Sequence, residues 1–418
     1  MKKSVIIISC LFLSATLFAQ TFTTGKPEDA GMSGERLARI DNVMNDYIAK
    51  KWIPGAVVFV ARNGKVVYHK AYGVSDIDKH TPLKRDDIFR IASQTKAVTS
   101  TAILVLYEEG KLLLDDPLSK YISEFKNPKV LVSFNEKDSS YTTEPAKSEI
   151  TIRQLLTHTS GIDYAEIGSK EFKAIYAKAR IPVGFGPPNE KLGEKMKVLG
   201  TLPLRHQPGE KFTYGLNSDV LGYVVEVVSG MNLDAFFLKR IFEPLGMNDT
   251  YFYVPKEKQN RLVTVSEDKD GVLRKVAPAK GRHVDYPTIA GTYFSGGAGL
   301  SSTVEDYAKF LQMFLNGGIY NGNRILGRKT IELMMTNQLK DDSDDFQFGL
   351  GFGLETLKND RLSPASIGSF SWGGYFSTSY WGDPKEKIVG LIFKQISPTA
   401  HGDEDDKFKE LVYQAIVD

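Results

Sequence analysis

Cysteine is nearly absent from this sequence of 418 residues, because Cys10 is the single one. A chain with one cysteine forms no internal disulfide, so a disulfide-stapled scaffold is excluded. Cys10 lies in a leader segment, so we expect the mature chain to lack a thiol nucleophile and a thiolate metal site. Long apolar runs are also lacking. The longest, residues 5–18, is shorter than the roughly 20 residues that cross a membrane, so we expect no membrane span.

The first residues have the pattern of an export signal. Lys2 and Lys3 precede the apolar run, and the small residue Ala19 follows it. This pattern predicts a secretory signal peptide over residues 1–19 and a periplasmic or secreted mature protein. The residues before Cys10 resemble a lipoprotein cleavage box. Because the apolar run continues past that cysteine, lipid anchoring is the less favoured interpretation.

An excess of charge of one sign is missing too. Lys and Arg number 53, Asp and Glu number 51, and 42% of the residues are hydrophobic. This balance gives no reason to expect nucleic acid as a partner and indicates an ordinary globular protein.

Two kinds of catalytic motif are also missing. The sequence has no Gly-x-Ser-x-Gly elbow, which argues against a conventional Ser-His-Asp hydrolase. Its six histidines show no His-x-x-x-His spacing, so we expect no metal and no cofactor. His158, in LTHTSG, is interpreted as structural, because its Thr- and Ser-rich surroundings suit a turn held by side-chain hydrogen bonds.

The spacing of apolar residues predicts the fold class. Two β-rich runs joined by Asn63-Gly64 predict a hairpin over residues 55–69, and a long helix is predicted over residues 92–109. Short strands return near the C-terminus, before a final amphipathic helix. We therefore predict an α+β fold in which helices flank an antiparallel β-sheet built from both termini. The predicted parts are a discontinuous sheet domain, residues 20–110 and 290–418, and an inserted, mostly helical region, residues 111–289.

Ser93 and Lys96 are the candidate catalytic pair. Residues three apart on a helix share a face, so the Lys96 amine can reach the Ser93 hydroxyl. Desolvation lowers the pKa of a lysine, and a neutral lysine can take the serine proton at pH 7. The same Ser-x-x-Lys spacing occurs at Ser123 and Ser266, in charged stretches where a lysine would stay hydrated. From the residues alone, nucleophile and helix N-cap remain two open roles for Ser93.

Six ordered blocks carry a resemblance to a known superfamily. They are FRIASQTKAVTS (89–100), ITIRQLLTHTSGI (150–162), PGEKFTYGLNSDVLGYVVE (208–226), IFEPLGMNDTYF (241–252), GGAGLSSTVEDYAKF (296–310) and WGGYFSTSYWGDP (372–384). The chain resembles the serine β-lactamase and penicillin-binding-protein hydrolases, in particular the class C β-lactamase-like branch. The resemblance implies a β-lactamase/transpeptidase-like fold. It also implies that Ser93 is the nucleophile that carries the acyl group and that Lys96 is its activating partner.

The second motif of that superfamily, Tyr-x-Asn, is only partly present. Tyr214 fills the tyrosine position and is implied to act with the lysine as the base in acylation. Leu216 stands at the asparagine position, and Asn217, one residue later, is the candidate for the substrate-binding role. This displacement weakens the case for β-lactam recognition but not the case for acyl transfer.

The third motif is replaced by Trp372-Gly373-Gly374, which is similar to the motif of the β-lactamase-like carboxylesterases (family VIII esterases). The resemblance places substrate along these three residues, and it implies an oxyanion hole made by the backbone N–H groups of Ser93 and Tyr375. Trp372 offers an apolar wall and no cation for a carboxylate. Uncharged acyl substrates such as esters are therefore favoured over penicillins and peptidoglycan stem peptides.

We thus predict an exported serine hydrolase that works through an acyl-enzyme, a carboxylesterase on small uncharged esters. One alternative is a β-lactamase or D-amino-acid peptidase of the same superfamily. A second is transfer of the acyl group to an alcohol or amine instead of water. A third, from a different class, is a penicillin-binding sensor that is acylated without turnover. In each case the partner is a small-molecule acyl substrate.

Overall fold

A computed structural model gives the fold of residues 21–182, 184–185, 189–278, 284–340 and 345–418. The predicted signal peptide and Cys10 lie outside these described residues. The helices of the described part are α1 (Gly34–Leu37), α2 (Arg39–Ala49), α3 (Thr95–Glu108), α4 (Ile152–Leu156), α5 (Lys170–Lys178), α6 (Leu192–Gly200), α7 (Asn217–Ser229), α8 (Leu233–Phe237), α9 (Glu243–Leu245), α10 (Val304–Leu315), α11 (Arg328–Met334) and α12 (Glu404–Gln414).

The strands range from two-residue pairings to the twelve residues of β3. They are β1 (Thr23–Thr24), β2 (Gly55–Arg62), β3 (Lys65–Asp76), β4 (Thr81–Pro82), β5 (Phe89–Arg90), β6 (Lys129–Phe134), β7 (Tyr141–Pro145), β8 (Ser266–Lys269), β9 (Val272–Lys275), β10 (Ser301–Ser302), β11 (Ile319–Tyr320), β12 (Asn323–Arg324), β13 (Gly353–Leu354), β14 (Phe370–Gly374), β15 (Thr378–Asp383) and β16 (Ile388–Phe393).

The predicted N-terminal hairpin forms between β2 and β3. Asn63 and Gly64 connect the strands with φ angles of 54° and 73°, the left-handed conformation that a tight two-residue hairpin turn requires. The two strands then pair in antiparallel register, with Val58 opposite Lys70 and Val57 opposite Ala71. The hairpin is confirmed, and β3 extends beyond the predicted end to Asp76.

The central sheet joins the two ends of the chain. Its strand order is β1-β3-β2-β16-β15-β14-β13, with β4 paired to β3. Its ladders are antiparallel except the one between β1 and β3. In the β2–β16 ladder Phe59 lies opposite Leu391, which ties the N-terminal hairpin to the C-terminal strands. The prediction of a mostly antiparallel sheet built from both termini is confirmed.

Helices cover both faces of this sheet. On one face α2 and α12 share a core with the sheet that includes Met44, Val58 and Phe408. On the other face α10 packs against β2, β15 and β16, and α3 lies in the same core and packs against α7. Every residue of β2 is buried, as expected for a strand that is covered on both sides.

The long helix predicted over residues 92–109 is present and begins with a tight turn. Residues Ala92–Gln94 form a 3-10 turn, and α3 follows directly from Thr95. The helix is buried from Thr95 to Leu106, because small and apolar residues surround its axis. Its first turn, which carries Lys96, is therefore fixed in position by packing, and the 3-10 turn directly before it carries Ser93.

The middle of the chain has more helix than strand, with α4 to α9 and the two small hairpins β6–β7 and β8–β9 separated by long loops. The division into domains at residues 111 and 289 stays a prediction. No single helix among the described residues is long and apolar enough to cross a membrane. The segments Asn217–Ser229 and Leu233–Leu245 pass that test only together, as a pair bent by 79°.

The β2–β16 ladder makes a stability prediction. Leu391→Ala should lower the free energy of unfolding by about 2–5 kcal/mol, because Leu391 is fully buried in the core between sheet and helices. Leu357→Ala is the matched control, since Leu357 is 79% exposed and should change stability by less than about 0.5 kcal/mol. Urea denaturation followed by circular dichroism measures both. Equal losses in the two variants would contradict this placement of the core.

Candidate active site

Ser93 lies in a backbone turn of unusual geometry. The preceding residue, Ala92, has a φ of 41°, which a residue with a side chain adopts only when its surroundings impose it. Ser93 itself is half-buried at the end of a sharp turn between β5 and α3. No side-chain cap is formed at the start of the 3-10 turn or of α3. The N-cap role that the residues alone left open is therefore not the one that Ser93 has.

Lys96 brings its amine to the Ser93 hydroxyl, as the helical spacing predicted. The Nζ atom lies 3.2 Å from Ser93 Oγ, and it donates to the carbonyl oxygen of Gly297 at 2.8 Å. A third contact, at 3.4 Å, joins Nζ to the hydroxyl of Tyr164. Lys96 is only 3% exposed, so these three oxygen atoms replace the water that would solvate a surface lysine.

The charge state of Lys96 differs from our expectation. Burial opposes the charge on the amine, but attraction to the oxygens of Tyr164 and Tyr214 outweighs burial. The pKa of Lys96 therefore lies above its ordinary value. The expectation of a lowered pKa was wrong because it considered desolvation without the oxygen-rich surroundings. At neutral pH the free protein holds Lys96 as a cation.

Tyr214 flanks this amine from a second side. It lies in the loop just before α7, and the centre of its ring is 4.6 Å from Lys96 Nζ. The ring is stacked with that of Tyr164 at 5.6 Å between centroids. The structure therefore brings together Ser93, Lys96 and Tyr214, three residues that were predicted from motifs far apart in sequence.

Tyr164 is a site residue that the sequence analysis missed. It is fully enclosed, and burial is the largest cause that raises the pKa of its hydroxyl above the ordinary tyrosine value. The available signal was its position two residues after the block that ends at Ile162.

Asp219 is a second missed residue. It is completely buried on α7, where its Oδ1 accepts hydrogen bonds from Ser295 Oγ at 2.6 Å and from the N–H of Gly297 at 3.3 Å. Burial raises the pKa of this carboxyl. Asp219 thus holds in place the loop that contains Gly297. The carbonyl oxygen of that glycine accepts a hydrogen bond from the Lys96 amine. An acidic residue in the first turn of α7, directly before the apolar run Val220-Leu221, was the signal that could have revealed it.

Asn217 is not where a substrate-binding residue would lie. It is completely buried, its Nδ2 contacts His158 Nδ1 at 3.0 Å, and its Oδ1 accepts from Ser160 Oγ. Both ends of its amide are thus used inside the protein. The expected substrate contact is corrected to a supporting role, because the first turn of α7 directs this side chain into the core.

His158 belongs to the same buried group. Its Nδ1 lies 3.3 Å from the N–H of Gly215 as well as near the Asn217 amide, and its ring packs 4.9 Å from that of Tyr214. Burial holds the pKa of His158 well below its ordinary value. This neutral, hydrogen-bonded ring supports the Tyr214 loop and accords with a structural interpretation.

Trp372 forms one wall of the site. It lies on β14, with ring centroids 5.7 Å from Tyr214 and 5.3 Å from Phe348. Phe346 and Phe212 continue this group of rings. Trp372 therefore belongs to a group of aromatic rings that reaches Tyr214, the ring next to the Lys96 amine.

Gly374 brings the end of β14 against the turn that carries Ser93. A Cβ atom added there would lie 2.4 Å from the carbonyl oxygen of Ile91, so only glycine permits this approach. At Gly373 the nearest atom would be 3.2 Å away, a looser fit. Tyr375, which follows, lies in the turn before β15 and is 53% exposed. The end of β14 thus packs against the turn that carries Ser93, and Tyr375 follows it directly.

Among the described residues, neither a metal site nor a second Ser-x-x-Lys pair forms a cluster comparable to that of Ser93 and Lys96. No group of three or more His, Cys, Asp or Glu side chains within them could hold a metal ion. Ser123 is exposed, and Ser266 opens the strand β8 instead of a helix. Neither of these Ser-x-x-Lys sequences forms a buried pair like that of Ser93 and Lys96.

Known proteins share both the sequence and this architecture. The family model described as Beta-lactamase matches residues 40–414. Protein Rv1367c of Mycobacterium tuberculosis (strain ATCC 25618 / H37Rv) is 35% identical over 83% of this chain and 86% of its own length. Esterase EstB of Burkholderia gladioli is 30% identical over 87% of this chain and 91% of its own length.

Among solved structures, EstCE1, described as a hydrolase with promiscuous acyltransferase activity, superposes with a TM-score of 0.77. The two are 27% identical, and the match covers 91% of this chain and 99% of that chain. The sequence matches and the shared fold agree with one another. The chain belongs to the Beta-lactamase family of serine hydrolases, within which its relatives include esterases.

Proposed function

We propose that this protein is a carboxylesterase that cleaves small uncharged esters through an acyl-enzyme on Ser93. The observation that carries the proposal is the 3.2 Å contact between Ser93 Oγ and a Lys96 amine that is almost fully buried. A serine hydroxyl becomes a nucleophile when a neighbouring group accepts its proton. The relationship to esterases of the same family supports this assignment.

The proposed reaction has two halves. In the first, the Lys96–Tyr214 pair, having lost a proton to solvent, accepts the proton of Ser93 as Oγ bonds to the acyl carbon. The bond between the acyl carbon and the alcohol oxygen then breaks, and the pair gives the proton to the departing alcohol. In the second, water bonds to the acyl carbon as the pair accepts its proton, the bond to Ser93 Oγ breaks, and the pair returns the proton to Oγ as the carboxylic acid leaves. The backbone N–H groups of Ser93 and Tyr375 donate to the negative oxygen formed in each half.

The substrate class follows from the aromatic wall. Trp372 and Phe348 bury an acyl or alcohol group without offering a charge, and burying an unpaired carboxylate against such a wall is costly. Small esters without a carboxylate therefore fit this site better than penicillins or peptidoglycan stem peptides. We also propose that the enzyme acts after export, because residues 1–19 have the pattern of a signal peptide.

Ser93→Ala should abolish hydrolysis of p-nitrophenyl acetate, lowering kcat by about 10⁴-fold or more, because the hydroxyl that forms the acyl-enzyme is lost. Ser123→Ala is the matched control, since Ser123 has the same spacing to a lysine but lies exposed on the surface. A fluorophosphonate probe read by intact mass should label the wild type and the control but not Ser93→Ala. Full activity in Ser93→Ala would refute the proposal. A p-nitrophenyl acetate adduct that persists without turnover would identify an acylated sensor instead.

The raised pKa of Lys96 predicts an alkaline pH profile. The base must lose a proton before it can accept one from Ser93, so kcat/KM for p-nitrophenyl butyrate should keep rising above pH 8. At pH values well below the pKa of Lys96, kcat/KM should rise nearly tenfold for each pH unit. Ser93→Ala measures the uncatalysed hydrolysis, which also rises with pH and is subtracted. A plateau already reached at pH 7 would contradict a cationic Lys96 in the free enzyme.

Trp372 should set the preference for uncharged substrates. We expect kcat/KM for p-nitrophenyl butyrate to exceed that for mono-p-nitrophenyl succinate, which has a carboxylate at the chain end, by about tenfold or more, equivalent to about 1.4 kcal/mol. Trp372→Lys should narrow this ratio because it supplies a cation, whereas Trp372→Phe should keep it. Nitrocefin should be hydrolysed slowly. Equal rates for both esters, or rapid turnover of nitrocefin or a D-Ala-D-Ala peptide, would overturn the substrate assignment.

A further inference from the structure

The segment 394–396, which follows β16, touches both turns that would form the oxyanion hole. One turn lies between β14 and β15 and contains Tyr375. The other lies between β5 and α3 and contains Ser93. The two turns come from opposite ends of the chain. Their relative position is therefore not set by local sequence and depends on what connects them in space.

Three hydrogen bonds join the segment to the Tyr375 turn. The N–H of Lys394 donates to the carbonyl oxygen of Ser377 at 3.2 Å. The N–H of Ile396 donates to the carbonyl oxygen of Phe376 at 3.1 Å. The hydroxyl of Ser377 donates to the Ile396 carbonyl at 2.8 Å. Ser377 has a φ of 61°, so these bonds hold a sharply bent backbone directly after Tyr375.

The side chain between those two amides reaches the other turn. Gln395 Oε1 accepts from the backbone N–H of Arg90 at 2.7 Å, and Gln395 Nε2 donates to the Arg90 carbonyl at 3.2 Å. The Gln395 amide thus forms hydrogen bonds with both the N–H and the carbonyl oxygen of Arg90, which lies three positions before Ser93. Gln395 is 1% exposed, so water cannot take over either bond when the side chain is lost.

The segment is itself held firmly. The Lys394 amine is 1% exposed and forms ion pairs with Glu404 and with Asp405, the latter at 2.8 Å. The carbonyl of Gln395 accepts from the N–H of Ser266 at 2.8 Å. Arg90 is equally fixed, because its guanidinium donates to the carbonyl of Val263 at 2.7 Å. Gln395 therefore joins two anchored pieces of backbone.

We propose that Gln395 is a positioning residue for acyl transfer, which sets the distance between the Ser93 and Tyr375 N–H groups by binding the backbone of Arg90. This inference rests on the proposed function. An oxyanion hole works only when both donors point at the developing charge, and loss of one donor costs about 10²–10³-fold in rate. A shift of the two turns relative to each other should weaken both donors without removing the nucleophile.

Gln395→Met keeps the size of the side chain and removes its hydrogen bonds to Arg90, namely the two to the backbone and a third at 3.4 Å that the Arg90 guanidinium donates to Oε1. We expect kcat for p-nitrophenyl butyrate to fall by about 10–100-fold with KM changed less than about threefold, because the geometry of the transition state is affected more than substrate binding. The inhibition constant of phenylboronic acid should rise in parallel with the loss in kcat/KM, since its adduct with serine is a tetrahedral anion that needs the same donors.

Gln312→Met is the matched control. Gln312 is a buried glutamine on α10 whose amide donates to Asn316, and it takes no part in the proposed site. Both variants should lose thermal stability, but only Gln395→Met should lose kcat and boronate affinity. Equal kcat and equal boronate inhibition in the two variants would overturn the inference, because a merely structural glutamine predicts that result.

Ser377→Ala provides a second test in case Gln395→Met fails to fold. It removes only the hydrogen bond that the Ser377 hydroxyl donates to the carbonyl of Ile396, between the segment 394–396 and the Tyr375 turn. We therefore expect kcat to fall by several-fold with KM unchanged. Unchanged kcat in this variant counts against the inference. Fluorophosphonate labelling of the wild type at Ser93 is measured in parallel. Absence of labelling means that the proposed function has failed, whereas labelling with a normal kcat in the Gln395 and Ser377 variants means that only the positioning role has failed.

Discussion

The buried amine of Lys96 is the constraint on which the site depends. A lysine without water must find oxygen partners, and here Ser93 Oγ, the Gly297 carbonyl and Tyr164 provide them. Each partner comes from a different part of the chain. Satisfying one nitrogen atom therefore draws the nucleophile turn, the loop before β10 and the loop after α4 to a common point. The Asp219 carboxyl, buried behind Gly297, completes this arrangement.

Much of the fold was predictable because local signals agreed with the packing. The Asn63-Gly64 turn, the helix that follows Ser93 and the final helix α12 all lie where turn chemistry and apolar spacing place them. The sheet order was not predictable from periodicity. The pairing of β2 with β16 joins residues separated by most of the chain, and no local pattern encodes such a partner.

The residues of the site that belong to motifs could be predicted from the sequence. The residues that hold them in place were harder to predict. Ser93 and Lys96 lie three residues apart at the start of a helix that the sequence predicts to be buried, so spacing together with this apolar setting made their contact predictable. Tyr164 and Asp219 carry no motif of their own, and their importance arises from enclosure that only the folded chain creates. Asn217 was misplaced because a family motif had shifted by one residue, which on a helix turns a side chain by about 100°. The charge of Lys96 was misjudged because the neighbouring tyrosine oxygens were not visible in the sequence.

The long-range ladder between β2 and β16 also governs when this protein acquires its chemistry. Ser93 emerges in translation well before β16 and the turn that contains Tyr375, because both lie far after it in the sequence. Such non-local pairing forms slowly and only after the intervening chain is available. A nascent or prematurely terminated chain that lacks β16 thus contains Ser93 without the sheet that positions its turn. The arrangement proposed for catalysis therefore forms only after β16 has been synthesised.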